Sequence, residues 1–313
     1  MLGENRLAEP HITILMATFN GARFLPEQLQ SLAAQSHSNW SLLISDDGSQ
    51  DATLSILQAF GQAHPARNLR LIAGPGQTSA VQNFMALLAC SQVAPGMVAL
   101  SDQDDVWLPD KLARAVWHLR QCPESQPAIY GSQSIYTDEH LVPFRQIKQP
   151  AGIPNFRNAL VQNLFSGHST VLNAAAIDLV RAAGTPIGIA FHDWWLYQLV
   201  AGAGGSCLLD PAQTVLYRQH GCNAFGAARG ISAKIKRLGH LMRGDYGAWL
   251  AAHWRALHGA AHHLTPQARG LICDLQAQPT FEPRAAQFHR LRLHRASAKG
   301  TVALQVAARL GWV

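Results

Sequence analysis

The sequence predicts an α/β protein, with a doubly wound, mostly parallel sheet followed by a helical C-terminal extension. Three observations carry that prediction. Short apolar runs alternate with helix-period segments at βα spacing over the first two-thirds of the 313 residues. Three of those runs end abruptly in polar clusters, as strands do when they deliver ligand groups from the C-terminal edge of a sheet. Past about Phe225 strand signals disappear and only helical patterns remain.

Taken in order, His11 to Ala17 reads as the first strand, followed by a helix with Leu25, Leu29, Leu32 and Ala33 on one face and Pro26 in its first turn. Trp40 to Ser45 is the second strand, and Asp51 to Phe60 a helix with Leu54, Leu57 and Phe60 inward. Leu69 to Ala73 is a short third strand closed by the turn Gly74-Pro75-Gly76. Val81, Phe84, Leu87 and Leu88 mark the next helix, Met97 to Ser101 a buried strand, and Pro109 opens a helix with Leu112, Val116 and Leu119 together. Beyond Ile129 the pattern is less regular. Strands are expected at Ile129–Tyr136, Ser169–Leu172 and Thr214–Tyr217, and helices at Ala174–Ala183 and Trp194–Ala201. Val142 to Phe156, with three prolines and a glycine, reads as an exposed loop. Ile231, Ile235, Leu238 and Met242 then form the apolar stripe of a basic helix, with Lys234, Lys236, Arg237 and Arg243 off that stripe. Tyr246–Leu257 and Thr301–Leu310 read as further helices.

A hydrophobic content of 48% against 14% charged residues fits a substantial core and excludes a disordered chain. The five cysteines have no CxxC spacing, and their odd number points to reduced thiols in a reducing compartment. No signal-peptide pattern opens the chain, and no run of 18 apolar residues suggests a membrane span. The expected location is therefore the cytoplasm. The formal charge of +6 is divided unevenly. Residues 1–220 hold 12 basic and 16 acidic residues, net −4, whereas 221–313 hold 13 and 3, net +10. The basic segment suits an anionic partner such as membrane lipid, a phosphorylated acceptor or nucleic acid.

The most informative stretch is Leu100-Ser101-Asp102-Gln103-Asp104-Asp105-Val106-Trp107. Three carboxylates in four positions repel one another unless a cation sits among them. A hard divalent ion, Mg²⁺ or Mn²⁺, at the end of the buried strand would relieve that repulsion. Otherwise the loop is simply acidic, with Asp102 or Asp105 capping the helix near Pro109. A second cluster, Ser45-Asp46-Asp47-Gly48-Ser49-Gln50-Asp51, again follows a strand, and the first strand ends in Thr18-Phe19-Asn20-Gly21.

In this order and spacing the motifs resemble those of the family-2 glycosyltransferases. Thr18-Phe19-Asn20 matches that family's first-strand motif, Asp46-Asp47-Gly48-Ser49 its base-binding turn, and Asp102-Gln103-Asp104 its DxD. The similarity continues through Asp105 to Leu112, His192-Asp193-Trp194-Trp195 and Tyr217-Arg218-Gln219-His220, and covers about residues 11 to 226. Each motif alone is weakly specific; together they are strong. The Ser101–Trp107 wording most resembles the rhamnosyltransferase-like branch that builds bacterial surface polysaccharides.

The resemblance implies a GT-A domain over residues 1–226 and a basic, mostly helical extension over 227–313. It implies inverting, metal-dependent transfer of rhamnose or another deoxyhexose from a dTDP- or UDP-sugar to a glycan or lipid-linked acceptor. Thr18, Asn20, Asp46 and Asp47 would grip the base, Asp102 the ribose or a metal-bound water, and Arg218 the phosphates. Asp104 and His220 would hold Mg²⁺ or Mn²⁺. Asp193 would be the general base, its carboxylate pKa raised by Phe191, Trp194 and Trp195. Each residue also has an ordinary alternative: Asp46 or Asp47 building the turn, Asp105 or Asp193 capping a helix, Arg218 and His220 on the surface, Trp194 and Trp195 in the core. His168, in Ser166-Gly167-His168-Ser169, departs from the small residue usual in the family, and a structural imidazole fits it equally well. Asn83 recurs in this branch without an assignable role.

Two other classes compete. A nucleotidyltransferase would carry a glycine-rich, basic loop after the first strand, of which Asn20-Gly21-Ala22-Arg23 is a poor version. A nucleic-acid-binding protein would use the basic segment, yet that segment has no recognisable reading motif, so nucleic acid is not the expected partner. The expected contact of residues 231–243 is the anionic inner face of the membrane, peripherally.

Overall fold

The computed structural model describes residues 9–76, 79–146, 152–221, 244–277 and 282–313. The first strand, β1 (Ile12–Thr18), lies between β2 (Trp40–Asp46) and β4 (Met97–Ser101), and β3 (Arg70–Ala73) pairs beyond β2; all three pairings are parallel. The other half of the sheet is mixed. β8 (Val171–Leu172) runs antiparallel to both β4 and β6 (Ala128–Thr137), and β6 is parallel to the 13-residue β9 (Ser206–Arg218). β5 (Val106–Trp107) and β7 (Pro143–Gln146) pair antiparallel with β9 and β6. The expected α/β sheet is thus present, with its parallel character confined to the β1–β4 half and the β6–β9 pair. β9 is much longer than the Thr214–Tyr217 strand read from sequence, because its first half alternates weakly and carries Pro211. The Val142–Phe156 loop likewise contains β7, whose four residues are all exposed and leave no burial pattern to read.

The central strands are buried on both faces, and their side chains sort by period two. Ile12, Ile14, Met16, Leu42, Ile44 and Ala99 pack on one side with α1 (Leu25–Ala33), α2 (Thr53–Ala63) and α4 (Lys111–Leu119). Leu15, Leu43, Val98 and Leu100 pack on the other with α3 (Ala80–Ala89), α6 (Ala174–Ala183) and α7 (His192–Gly202). Helix starts follow local chemistry. Pro26 opens α1, the Ser79 hydroxyl accepts from Gln82 N at α3, and Asn173 accepts from Ala176 N at 2.9 Å to begin α6. A short helix, α5 (Phe156–Ala159), precedes the turn into β8.

The C-terminal segment is helical where described: α8 (Asp245–Gly259), α9 (Pro266–Gln276), α10 (Arg284–Arg290) and α11 (Ala298–Arg309). Leu250, Trp254, Leu257, Ile272, Phe288 and Leu304 belong to the same hydrophobic cluster as Leu15 and Leu100. Trp254 Nε1 donates to Leu160 O at 2.9 Å, and the buried His253 Nδ1 hydrogen-bonds Gln198 Oε1 of α7 at 2.9 Å. These helices form a layer over α7 that shares its core. The basic helix expected at 231–243 lies outside the described residues. No helix among the described residues is long and apolar enough to cross a membrane.

Candidate active site

A cleft of about 780 Å³ opens where β1, β2 and β4 end and α7 begins. Thr18, Asp47, Asp102, Asp104, Gly167 and Asp193 are among its lining residues. A smaller cavity of about 200 Å³ near His11 and Asn68, at the opposite edge of the sheet, has no carboxylate in its wall.

At one end the turn after β2 is held by its own side chains. Asp46 accepts four hydrogen bonds: from Thr18 Oγ1 (2.8 Å), Ser49 Oγ (2.6 Å), Ser49 N (2.8 Å) and Gly48 N (3.1 Å). That carboxylate is fully used in building the turn and does not line the cleft, a correction to its expected role in base contact. Asn20 is similarly committed. It sits at φ +46°, receives Gln50 N on Oδ1 at 2.8 Å and donates its own N–H to Ser49 Oγ at 2.8 Å. Asp47 is different. Its Oδ1 accepts from Gly76 N at 2.6 Å, while its buried Oδ2 has no hydrogen-bond partner, and the side chain lines the cleft. Gly74 allows this approach, since a Cβ there would fall 2.8 Å from Asp47 Oδ1. The Oδ1 of Asn83, also on the cleft wall, is buried without a partner, and its Nδ2 donates to Ser45 O at 3.1 Å.

Gln103, the middle residue of the acidic motif, clasps this end to the next. Its Oε1 accepts from Phe19 N at 2.9 Å and its Nε2 donates to Phe19 O at 3.0 Å. Gly21 makes room, because a Cβ on it would come within 2.2 Å of Gln103 Oε1.

The acidic loop has a wet and a dry layer. Asp102 and Asp104 line the cleft. Burial, then the charges of Asp104 and Asp193, push the Asp102 carboxyl up to about 7. Asp104 Oδ2 and His220 Nε2 are 2.7 Å apart, with the His220 ring 4.7 Å from that of Phe24. Beneath them Asp105 is fully buried, and burial followed by the charges of Asp104 and Asp102 holds its carboxyl well above the usual range. Its Oδ1 accepts from Arg218 N at 3.1 Å. It caps no helix, since Asp110 occupies the position before α4. The Lys111 ammonium, buried at 3.7 Å over the Trp107 ring, is a counter-charge to Asp105 and is itself driven down to about 7 by burial.

Arg218 is also part of the dry layer, and this corrects its expected place on the phosphates. Its guanidinium donates to Asp104 O (2.8 Å), Glu139 O (2.6 Å) and Glu27 Oε2, and lies 4.5 Å over the Phe24 ring. These contacts tie the acidic loop to α1 and β9 from below. His168 is a buried structural imidazole: it stacks on Tyr217 at 4.3 Å, bonds Ser134 Oγ at 2.7 Å, and is pushed down to about 3 by burial and by Lys111.

The donor set suits a hard divalent cation. Ligand atoms of Asp102, Asp105 and His168 all lie within 4.8 Å of one another, and Asp104 with His220 lies alongside. Surplus carboxylate charge with oxygen and imidazole donors fits Mg²⁺ or Mn²⁺. Of these residues Asp102, Asp104 and His168 also line the cleft, whereas Asp105 is sealed beneath it and bonded to the Arg218 amide.

Asp193 lies in the first turn of α7, near enough to the acidic loop for its charge to help raise the Asp102 carboxyl. Its Oδ1 accepts from Trp194 N at 2.7 Å and its Oδ2 from Gly167 N at 3.0 Å. The capping position is taken by Phe191, so Asp193 is within the helix and still aimed into the cleft. Gly167 has to be glycine here: a Cβ would meet His192 Nε2 at 2.7 Å. Trp195 is wholly in the core, and Trp194 is buried with Nε1 donating to Ala159 O at 2.7 Å. The sequence reading missed the part of the lining formed by Tyr246, Trp249 and Arg295 from the C-terminal segment with Gln162 and Asn163. Isolated residues on separate elements carry no motif that would have revealed them.

The similarity to known proteins agrees with this architecture. The model for "Glycosyl transferase family 2" matches residues 13–175. The dTDP-rhamnosyl transferase RfbG of Shigella flexneri is 31% identical over 239 residues, covering 72% of this chain and 78% of RfbG. Two solved structures share the fold. One is the mannosyltransferase PcManGT from Pyrobaculum calidifontis, solved with GDP-Man and Mn²⁺ (TM-score 0.54, 18% identity, 96% of this chain and 86% of that one). The other is TarS 1–349 of S. aureus with UDP-GlcNAc (TM-score 0.55, 14% identity, 96% and 92%). With half the chain inside the family's own pattern and strand ends that converge on one acidic cleft, this protein belongs to glycosyltransferase family 2, with a GT-A fold.

Proposed function

We propose that the protein transfers a deoxyhexose, rhamnose, from a dTDP- or UDP-sugar to a glycan or lipid-linked acceptor in surface polysaccharide synthesis, with inversion at the anomeric carbon. The observation that carries this reading is that Asp47, Asp102, Asp104 and Asp193 all line one cleft. Together they supply an acceptor for a base N–H, a cation-binding pair and a proton acceptor. The unpartnered Oδ2 of Asp47 suits the N3–H of uracil or thymine. The 31% identity to a dTDP-rhamnosyl transferase supports the choice of donor.

Asp102 and Asp104, with His220 beside Asp104, would hold Mg²⁺ or Mn²⁺; bound there, the cation neutralises the diphosphate and stabilises the leaving group. The chain's own residues do the rest. Gln103 and Arg218 hold the acidic loop in place from two sides. Gly167 N and Trp194 N fix the Asp193 carboxylate. Asp193 takes the proton of the acceptor hydroxyl as that oxygen bonds to C1 of the sugar. The C1–O bond to the diphosphate breaks in the same displacement, and the nucleoside diphosphate departs.

Isothermal titration with dTDP, UDP and GDP, each with and without Mg²⁺ or Mn²⁺, tests the donor end. Saturable binding of dTDP or UDP that depends on the cation and weakens in Asp47→Asn is expected. Equal affinity for GDP, or binding indifferent to both cations, would reject the assignment.

A further inference from the structure

The four aspartates of the cleft wall face a single cationic side chain among the described lining residues, Arg295. It stands just ahead of α11, in a segment whose backbone is fixed by three hydrogen bonds. Arg295 N donates to Thr301 Oγ1 at 3.0 Å, Thr301 Oγ1 donates to Arg295 O at 3.3 Å, and Ala296 N donates to Gln162 Oε1 at 2.8 Å. The half-buried guanidinium has only neutral partners, Tyr246 Oη at 3.2 Å and Val161 O at 3.4 Å, and no carboxylate pairs with it among the described residues. A partly desolvated guanidinium favours an anion, which it grips through charge-assisted bonds.

The surroundings say what kind of molecule carries that anion. Trp194 and Tyr246 stack at 6.4 Å with their planes 16° apart, and Phe191 meets Trp249 edge-on at 5.1 Å. Gln162 and Asn163 add amide groups to the same wall. Aromatic rings and amides lining the same cleft as the Asp193 carboxylate suit a sugar ring. We infer that this wall is the acceptor subsite, and that the acceptor is a glycan bearing a negatively charged group, phosphate or carboxylate, held by Arg295. The inference rests on the transfer reading above, with Asp193 as the boundary between donor and acceptor.

Ligand-observed NMR titration tests it, with UDP and Mg²⁺ saturating the donor end. The probes are glucose 1-phosphate, methyl glucuronide and neutral methyl glucoside. An anionic probe should bind about tenfold more tightly than methyl glucoside. Preference for the phosphate or for the uronate then identifies the source of the charge. Arg295→Gln should abolish the preference and leave UDP affinity unchanged, while Arg295→Lys retains part of it at an unchanged melting temperature. Equal binding of all three probes, no saturable binding of any up to ~20 mM, or a preference that survives Arg295→Gln would overturn the inference. A variant that loses UDP affinity instead would move Arg295 to the donor and overturn it as well. Absence of UDP binding to the unaltered protein would instead refute the donor reading itself, on which this one stands.

Discussion

The two ends of the cleft are built on opposite principles. At the nucleotide end the polar groups are spent largely on one another: Asp46 accepts four hydrogen bonds, Asn20 two-way contacts, and Gln103 clasps Phe19. Among the described residues of this end, Asp47 keeps a buried carboxylate oxygen, Oδ2, without a hydrogen-bond partner. At the far end the polar groups are few, and aromatic rings from α7 and α8 do the shaping. Short-range polar loops hold the acidic end, and the hydrophobic C-terminal layer holds the other. A donor common to many enzymes needs a fixed loop; an acceptor peculiar to one enzyme needs a wall that can be re-lined without disturbing that loop.

In the proposed reaction Asp193 is the base, and removing its basicity gives the largest expected effect. Asp193→Asn should lower turnover by about 10²–10⁴-fold with donor affinity retained, as judged by steady-state kinetics beside nucleotide titration. Unchanged turnover with weakened donor binding would assign Asp193 to the donor end.

Arg218 should matter to the fold of the donor end more than to ligand contact. Arg218→Ala leaves Glu27, Asp104 O and Glu139 O without their donor and should cost about 3 kcal/mol of stability, measured by denaturant unfolding. A stable Arg218→Ala protein with weakened nucleotide binding would return the guanidinium to the phosphates.

The ends also share an acid weakness. His168 on the donor side and His253 in the C-terminal layer are both held neutral by burial, down to about 3 against 6.5 when exposed. With the folded values depressed, the unfolded chain binds more protons below 6.5. Stability is therefore complete above that value and is lost as the pH falls toward 3. At pH 5 each histidine should cost about 2 kcal/mol, and His253→Gln should reduce the acid sensitivity seen in urea unfolding at pH 5 and 7.5. An unchanged pH slope in that variant would place the sensitivity elsewhere.

The smallest effect tests the clasp. Gly21→Ala drives Gln103 off Phe19 and should weaken nucleotide binding about tenfold, the loss of one to two net hydrogen bonds. Unaltered affinity would mean the acidic loop holds its place without Gln103.

The α/β class, the succession of the first four strands and the acidic end of the cleft were legible in the chain alone. Strands buried on both faces are continuous apolar runs, and residues that follow their C-terminal ends are contiguous, so Thr18, Asp47, Asp102 and Asp104 were legible as motifs. Only the tertiary structure decided which polar residues face the ligand and which face each other. Asp46 and Asp47 are neighbours in sequence with the same chemistry, yet one builds the turn and the other lines the cleft. Arg218 and His220 share a motif, but the guanidinium lies beneath the acidic loop. The wall of Tyr246, Trp249 and Arg295 had no sequence signal at all, because residues about fifty positions apart meet there through tertiary packing and the Arg295–Tyr246 hydrogen bond.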